Sequence, residues 1–267
     1  MTIERIAVVG GGAWGTALAQ VAAAGGKQTL LWAIEDEVVG AINRIHENPI
    51  YLKGQKLDPS IRATTNFSDL RHADAWLVVT PAQHMRAVLE RMPCPNMPLV
   101  LCSKGIEEGS GLMLHEVAHD VCPTSPIAVL SGPTFAHEVA AGLPTAVTLA
   151  CADQEIGFAL RDRISRPAFR TYFSDDVTGA EIGGAVKNVL AIACGVVEGR
   201  GLGQNARAAL IARGFAEMTR FGIAVGARPE TLAGLSGLGD LVLTCSSTSS
   251  RNYSLRKGLG DARSASE

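Results

Sequence analysis

"IAVVGGGAWGTALAQ", residues 6–20, decides how the rest of the chain is read. Ile6 to Val9 form a β-branched apolar run suited to a buried parallel strand. Thr16 to Ala24 are alanine-rich and suit a helix packed closely against it. Between them Gly10, Gly12 and Gly15 make G-x-G-x-x-G. That spacing supplies a tight turn, a backbone that can approach a pyrophosphate, and a close helix–strand contact. The helix start adds N–H groups without helical partners and a partial positive charge that favours phosphate. Three glycines alone also fit a turn that binds nothing. The pattern continues, however: Gln28 to Trp32 read as a second strand, and Glu35 stands twenty residues past Gly15. A dinucleotide-binding fold places there the acid that accepts from a ribose 2′-OH. For Glu35 taken alone, a solvated loop acid is the alternative.

Composition bounds what surrounds this turn. At 267 residues the chain accommodates two domains, and 47% apolar residues with 19% charged ones build a sizeable core. A net charge of −2 gives no general attraction to nucleic acid or anionic lipid. The first residues, MTIERIAVV, lack a signal-peptide layout, because their apolar run is the first strand. Six cysteines at 94, 102, 122, 151, 194 and 245 form no CxxC pair and read as reduced thiols, which implies a cytoplasmic location. The most apolar window, Ile182 to Val197, contains Lys187, Asn188 and three glycines and reads as too short to span a bilayer.

Strand-like runs recur at Ala75–Thr80, Leu99–Ser103, Ile127–Ser131 and Ala146–Ala150, with helical stretches such as Ala82–Arg91 and Leu112–Val121 between most of them. Alternating strands and helices predict a doubly wound, mainly parallel α/β sheet. Ligands of such sheets lie outside the carboxyl ends of the strands. Thr80-Pro81, Ser103-Lys104-Gly105 and Ser131-Gly132-Pro133-Thr134 are therefore candidate site walls. From about Asp176 the strands give way to helical segments rich in alanine and glycine, which divides the chain into residues 1–179 and a helical domain over 180–267.

Lys187 is the one charged side chain between Glu181 and Glu198, on a helix with Ile182, Val186, Val189, Leu190 and Ala193 at apolar positions. A desolvated lysine loses proton affinity and serves as an acid or base near neutral pH. Gly183, Gly184 and Ala191 flank it at helical spacings and are read as leaving room for another molecule. A lysine that snorkels to solvent is the bland alternative. Further on, Asp240 follows two glycines, and Ser249-Ser250-Arg251-Asn252 opens a helix-like stretch whose N–H groups and guanidinium suit a phosphate. Serine capping beside a solvated arginine is the alternative there. His115-Glu116-Val117-Ala118-His119 fits H-E-x-x-H, with Glu138 as a conceivable third zinc ligand. Its helix lies where the sheet needs a crossover, with Leu112 and Val121 set for packing, so no metal is expected.

Taken together these segments resemble the NAD(P)-dependent glycerol-3-phosphate dehydrogenases. The resemblance rests on "GGGAWGTALA", "HENPIYLKGQKL", "VTPAQ", "SKGIEEG", "SGPTFAHEVAAGLPTA", "EIGGAVKNVLAIACG", "GLSGLGDLVLTC" and "SRN", in family order from residue 6 to about 258. It implies a Rossmann-type doubly wound sheet followed by an all-helical substrate domain. It also implies hydride transfer between the C2 of glycerol 3-phosphate and nicotinamide C4, with dihydroxyacetone phosphate as the ketone, supplying glycerol 3-phosphate for phospholipid synthesis. Lys187 matches the family's catalytic lysine. Lys104, Gly132, Thr134 and Asp240 match substrate-side positions, the last an acid that the resemblance implies also orients Lys187, and Ser250, Arg251 and Asn252 match its phosphate grip. Gly10, Gly12, Ala13, Trp14, Gly15, Glu35, Lys104, Ala136 and Arg251 are the implied cofactor contacts. The cofactor expected is NAD, with NADP as the variant, and the partner a small molecule, in a homodimer without nucleic acid or stable membrane insertion.

Two departures stand out. Bacterial members often carry an arginine after the second strand that meets a 2′-phosphate. Here "LWAIEDE", residues 31–37, holds Ile34 and Glu35 instead. The family also continues past "RKGLG" with further helices, so the chain reads as short at its C-terminus. Two rivals share some of these features. A related β-hydroxyacid-type dehydrogenase lacks the Arg251-Asn252 grip, and a nucleotide-binding protein without catalysis has no use for the lysine.

Overall fold

The computed structural model describes residues 2–92 and 96–246. By compactness the chain divides into two units, Met1–Leu130 with Thr134–Val177, and Ser131–Pro133 with Thr178–Glu267.

The first unit is a sheet of eight strands in the order β3-β2-β1-β4-β5-β6-β7-β8. These are β1 (Ile6–Val9), β2 (Thr29–Trp32), β3 (Ile61–Thr64), β4 (Ala75–Val78), β5 (Leu99–Leu101), β6 (Ile127–Ser131), β7 (Thr145–Cys151) and β8 (Phe169–Ser174). The neighbours from β3 through β6 pair in parallel, and so do β7 and β8. Helices α1 (Ala13–Ala23), α2 (Asp36–Ile45), α3 (Met85–Glu90), α4 (Leu114–Val121), α5 (Ala136–Ala140) and α6 (Gln154–Ile164) connect them. Every residue of β1 and β4 is buried, as a parallel strand covered on both faces requires.

Several expected bounds shift. Helix α1 starts at Ala13, not Thr16, because Gly12 serves as its N-cap and its carbonyl accepts from the Thr16 N–H at 2.9 Å. The strands expected to reach Thr80 and Ser103 end at Val78 and Leu101. Residues 82–91 divide into a 3₁₀ turn, Ala82–His84, and the short α3. Strands β3 and β8 were not anticipated. Both are edge strands, and alternate residues of each face solvent, so neither carries a continuous apolar run.

The second unit holds α7 (Val177–Gly199), α8 (Gly203–Ala224), α9 (Pro229–Leu232) and α10 (Asp240–Ser246). Gly214 of α8 lies so close to α7 that a methyl group there would meet Leu190 at 2.3 Å. At 23 residues α7 is longer than the apolar window suggested, and it has the length and composition to cross a membrane. Half of its most apolar window is nevertheless buried inside the protein, with Lys187 and Glu181 buried on it, which is the pattern of a core helix. Its other residues are less covered: Val189 is 66% exposed.

Candidate active site

In the first unit, the parallel registers bring Val9, Trp32, Val78 and Leu101 to one level. The segments that follow them, Gly10–Gly15, Ile34–Glu35, Thr80–Pro81 and Ser103–Lys104, therefore share one edge of the sheet. The glycines there have separate jobs. Gly10 has φ +126°, and a Cβ on it would meet the Val79 carbonyl oxygen at 2.7 Å. A Cβ on Gly15 would stand 1.8 Å from the Gly10 oxygen, and one on Gly11 would stand 2.5 Å from the Ala33 Cβ. Gly12 differs, because a Cβ there meets nothing within 4 Å. Three glycines let protein pack on protein, while the fourth faces open space at the start of α1. The cap carries no side-chain bond to the first-turn N–H groups, and the Thr80 hydroxyl on the same edge is buried without a hydrogen-bond partner. This cradle fits the pyrophosphate of a dinucleotide. Gly10, Gly12 and Gly15 would hold it, with the half-buried Ala13 and Trp14 beside them. Half-buried Ala136 opens α5, which packs on α1.

Glu35 is the N-cap residue of α2 but does not cap it. Its carboxylate accepts instead from the Tyr51 hydroxyl at 2.6 Å. The loop that carries Tyr51 runs from His46 to Leu57 and is closed by a 2.9 Å bond from the Leu57 N–H to the His46 oxygen. Asn48 anchors it. Its fully buried side chain donates to the Gly11 oxygen and to Thr16 Oγ1, both at 2.8 Å, and accepts from the Tyr51 N–H at 3.1 Å. Thr80 is among the candidate site walls, but the sequence assigns no role to Asn48 or Tyr51 individually. An Asn followed by Pro within "HENPIY" signals a turn, but nothing in the string says that the turn docks on residues 11 and 16.

Lys104 is half-buried in the turn after β5, next to Cys102. Burial pushes the Cys102 thiol far up, with Lys104 opposing weakly, so Cys102 stays a thiol and is no nucleophile. Thr134 is half-buried between β6 and α5. In the H-E-x-x-H stretch, Glu116 Oε2 accepts from the Met113 N–H at 2.7 Å and caps α4, while His119 is exposed. Glu116 thus serves a helix end.

In the second unit, Lys187 Nζ donates to Asp240 Oδ1 at 2.6 Å. Lys187 is 8% exposed and Asp240 is fully buried. The expectation that Gly183 leaves room for another molecule is corrected here. A Cβ on Gly183 would meet the Ser236 oxygen at 2.1 Å, so the vacant volume is filled by the chain's own turn. That turn, Leu235–Gly239, is π-helical, with the Gly239 N–H bonded to the Gly234 oxygen at 3.0 Å. It drops Asp240 onto α10 opposite Lys187. Wide turns of this kind recur at functional sites. Gly132, which belongs to this unit, is buried, and so is the neighbouring Ser131, whose hydroxyl has no partner. Further along the same two helices, about two turns past Lys187 and one and a half past Asp240, Cys194 and Cys245 are both buried. A hydrogen bond between their thiols holds Cys194 below the usual range and Cys245 well above it. Ser250, Arg251 and Asn252 lie outside the described residues.

A parallel sheet with a glycine cradle at its strand ends, followed by a helical unit that buries a lysine against a carboxylate, is the pattern of a class, the dinucleotide-dependent dehydrogenases. Family models give the particular branch: one described as NAD-dependent glycerol-3-phosphate dehydrogenase N-terminus matches residues 5–157, and the corresponding C-terminus matches 176–267. The chain belongs to the NAD-dependent glycerol-3-phosphate dehydrogenase family. It is 67% identical to glycerol-3-phosphate dehydrogenase [NAD(P)+] of Erythrobacter litoralis, over 100% of this chain and 81% of that one. The Novosphingobium aromaticivorans protein of the same name is 63% identical over 99% of this chain and 80% of its own. Among solved structures, glycerol-3-phosphate dehydrogenase from Coxiella burnetii superposes with a TM-score of 0.93 at 39% identity, covering 99% of this chain and 82% of that one.

Proposed function

We propose that this chain interconverts glycerol 3-phosphate and dihydroxyacetone phosphate with NAD(P), supplying glycerol 3-phosphate for phospholipid synthesis. The observation that carries the reading is the buried Lys187–Asp240 pair at 2.6 Å, in a family whose members catalyse this oxidation. NAD(P), when bound, supplies and takes back the hydride at its nicotinamide. In ketone reduction Lys187 Nζ gives its proton to the C2 oxygen, and in alcohol oxidation it takes the proton from the C2 hydroxyl. Asp240 orients the ammonium and offsets its desolvation, which is what an isolated buried lysine lacks. Gly10, Gly12, Ala13, Trp14, Gly15, Glu35 and Ala136 hold the cofactor. Lys104, Gly132 and Thr134 meet the substrate, with Lys104 also near the cofactor. Ser250, Arg251 and Asn252 bind the substrate phosphate, and Arg251 reaches the cofactor as well.

Residues 1–179 serve as the cofactor domain and residues 180–267 as the substrate domain in this reading. A cytoplasmic homodimer completes it. The location is supported by free thiols at Cys102, Cys122, Cys151, Cys194 and Cys245. The reading is tested by incubating the protein with NADH and dihydroxyacetone phosphate and identifying the product by mass. Glycerol 3-phosphate should form in step with NADH loss. Arg251→Ala should raise the KM for the ketone by about thirtyfold or more, the equivalent of about 2–3 kcal/mol for a lost charge-assisted contact, with NADH affinity much less affected. Equal losses for both ligands would assign Arg251 mainly to the cofactor, and absence of the product would refute the activity.

A further inference from the structure

Glu35 occupies the N-cap position of a ten-residue helix, where a side-chain oxygen can accept from a first-turn N–H. It makes no such bond. Its carboxylate is turned across to Tyr51, whose hydroxyl donates to Oε1 at 2.6 Å. The tyrosine is itself held, because its own N–H is bonded to Asn48, and Asn48 is fully buried and bonded to Gly11 and Thr16 in the glycine turn. One loop thus ties the carboxylate after β2 to the cradle after β1. The phenol uses part of one carboxylate oxygen and leaves Oε2 to accept from another donor. The carboxylate in turn holds the Tyr51 phenol protonated above its ordinary range.

We infer that Tyr51 is a positioning residue for cofactor choice: its bond to Glu35 keeps that carboxylate off the α2 N-terminus and directed to accept from a ribose 2′-OH, which favours NADH and disfavours the 2′-phosphate of NADPH. This rests on the proposed role of Glu35 as the ribose acid. Asp36 and Glu37 in the first turn of α2 add negative charge against a 2′-phosphate, and no arginine lies between Leu31 and Val39 to offset it. Without the phenol, Glu35 is released to cap α2, and the 2′-OH loses its acceptor.

The test is fluorescence titration of NADH and NADPH into the wild-type protein, Tyr51→Phe, Glu35→Gln and the double variant, with no substrate present. Tyr51 is 42% exposed and Phe keeps the ring, so the fold tolerates the change. The wild type should bind NADH more tightly than NADPH. Tyr51→Phe should raise the NADH dissociation constant by about three- to tenfold, in the range expected for one hydrogen bond to a charged group, and leave NADPH unchanged or tighter. Glu35→Gln should shift the ratio at least as far, and adding Tyr51→Phe to it should change nothing more. If Glu35→Gln moves the ratio and Tyr51→Phe does not, the role of Tyr51 is overturned while that of Glu35 stands. If Glu35→Gln leaves the ratio unmoved, or the wild type prefers NADPH, the underlying reading of Glu35 falls and the inference with it. Equal weakening of both cofactors by Tyr51→Phe also overturns it, since the loop then merely supports the site.

Discussion

Lys187 and Asp240 are 53 residues apart in sequence and 2.6 Å apart in space, with neither exposed enough for water to compensate a lost partner. In the direction of ketone reduction the ammonium form is the reactive one, so the rate falls as pH rises through the lysine pKa. Asp240→Asn removes an anion that favours the ammonium, which lowers that pKa. The alkaline fall in rate should therefore move to lower pH. Lys187→Met should cut turnover by about two orders of magnitude or more, with the NADH dissociation constant within about twofold of wild type. Rate–pH profiles and fluorescence titrations check both variants. An unmoved alkaline limb would remove Asp240 from the proton step, and near-normal turnover would remove Lys187. Breaking one side of a buried pair also costs about 3–5 kcal/mol, so Asp240→Asn should melt earlier. Lys187 was legible in the sequence because a charge isolated in an apolar helix needs a reason. Its partnership was only suggested by family likeness, since a contact made through a π-helical turn leaves no periodic trace.

At the scale of elements, the strand–turn–helix of residues 6–23 separates glycines whose missing side chains let the protein pack on itself from one, Gly12, that faces open space. Gly15→Ala would put a methyl group 1.8 Å from the Gly10 carbonyl oxygen. Helix and turn must then separate, at the cost of at least about 1–3 kcal/mol. Gly12→Ala meets nothing within 4 Å, and its φ of −67° is ordinary for alanine. The first variant should melt at a markedly lower temperature. The second should melt like wild type yet bind NADH about tenfold more weakly or worse, equivalent to about 1.4 kcal/mol. Thermal melts with and without NADH distinguish the two. A Gly12→Ala protein that binds NADH normally would mean that the open space there is not used. The reading of "GGGAWG" as a cradle came from spacing, but which glycine does what came only from the neighbours of each. Gly183 is the instructive reversal, a small residue taken as space for a ligand and found to be filled by Ser236 and Gly237. The edge strands β3 and β8 escaped for a related reason. Alternating exposure makes "IRAT" and "FRTYFS" read as surface until sheet neighbours are known.

For the whole molecule, the alternation of strands and helices up to Ser174 and the helical run from Val177 onward were both visible in composition and periodicity. So were the glycine cradle and the buried lysine, because each breaks the local rule of its own element. What the chain's letters did not carry is the long-range docking of the residue 46–57 loop on the cradle, which depends on one buried asparagine. In the proposed function these parts serve a phosphorylated three-carbon ketone. Initial rates of NADH oxidation with dihydroxyacetone phosphate and with unphosphorylated dihydroxyacetone, measured on the wild-type protein beside Lys187→Met, test it most directly. The expected result is a kcat/KM higher for the phosphorylated ketone by about a hundredfold or more, equivalent to about 2.7 kcal/mol of phosphate recognition, with both rates collapsing in Lys187→Met. Comparable rates for the two ketones, or oxidation that persists without Lys187, would contradict it.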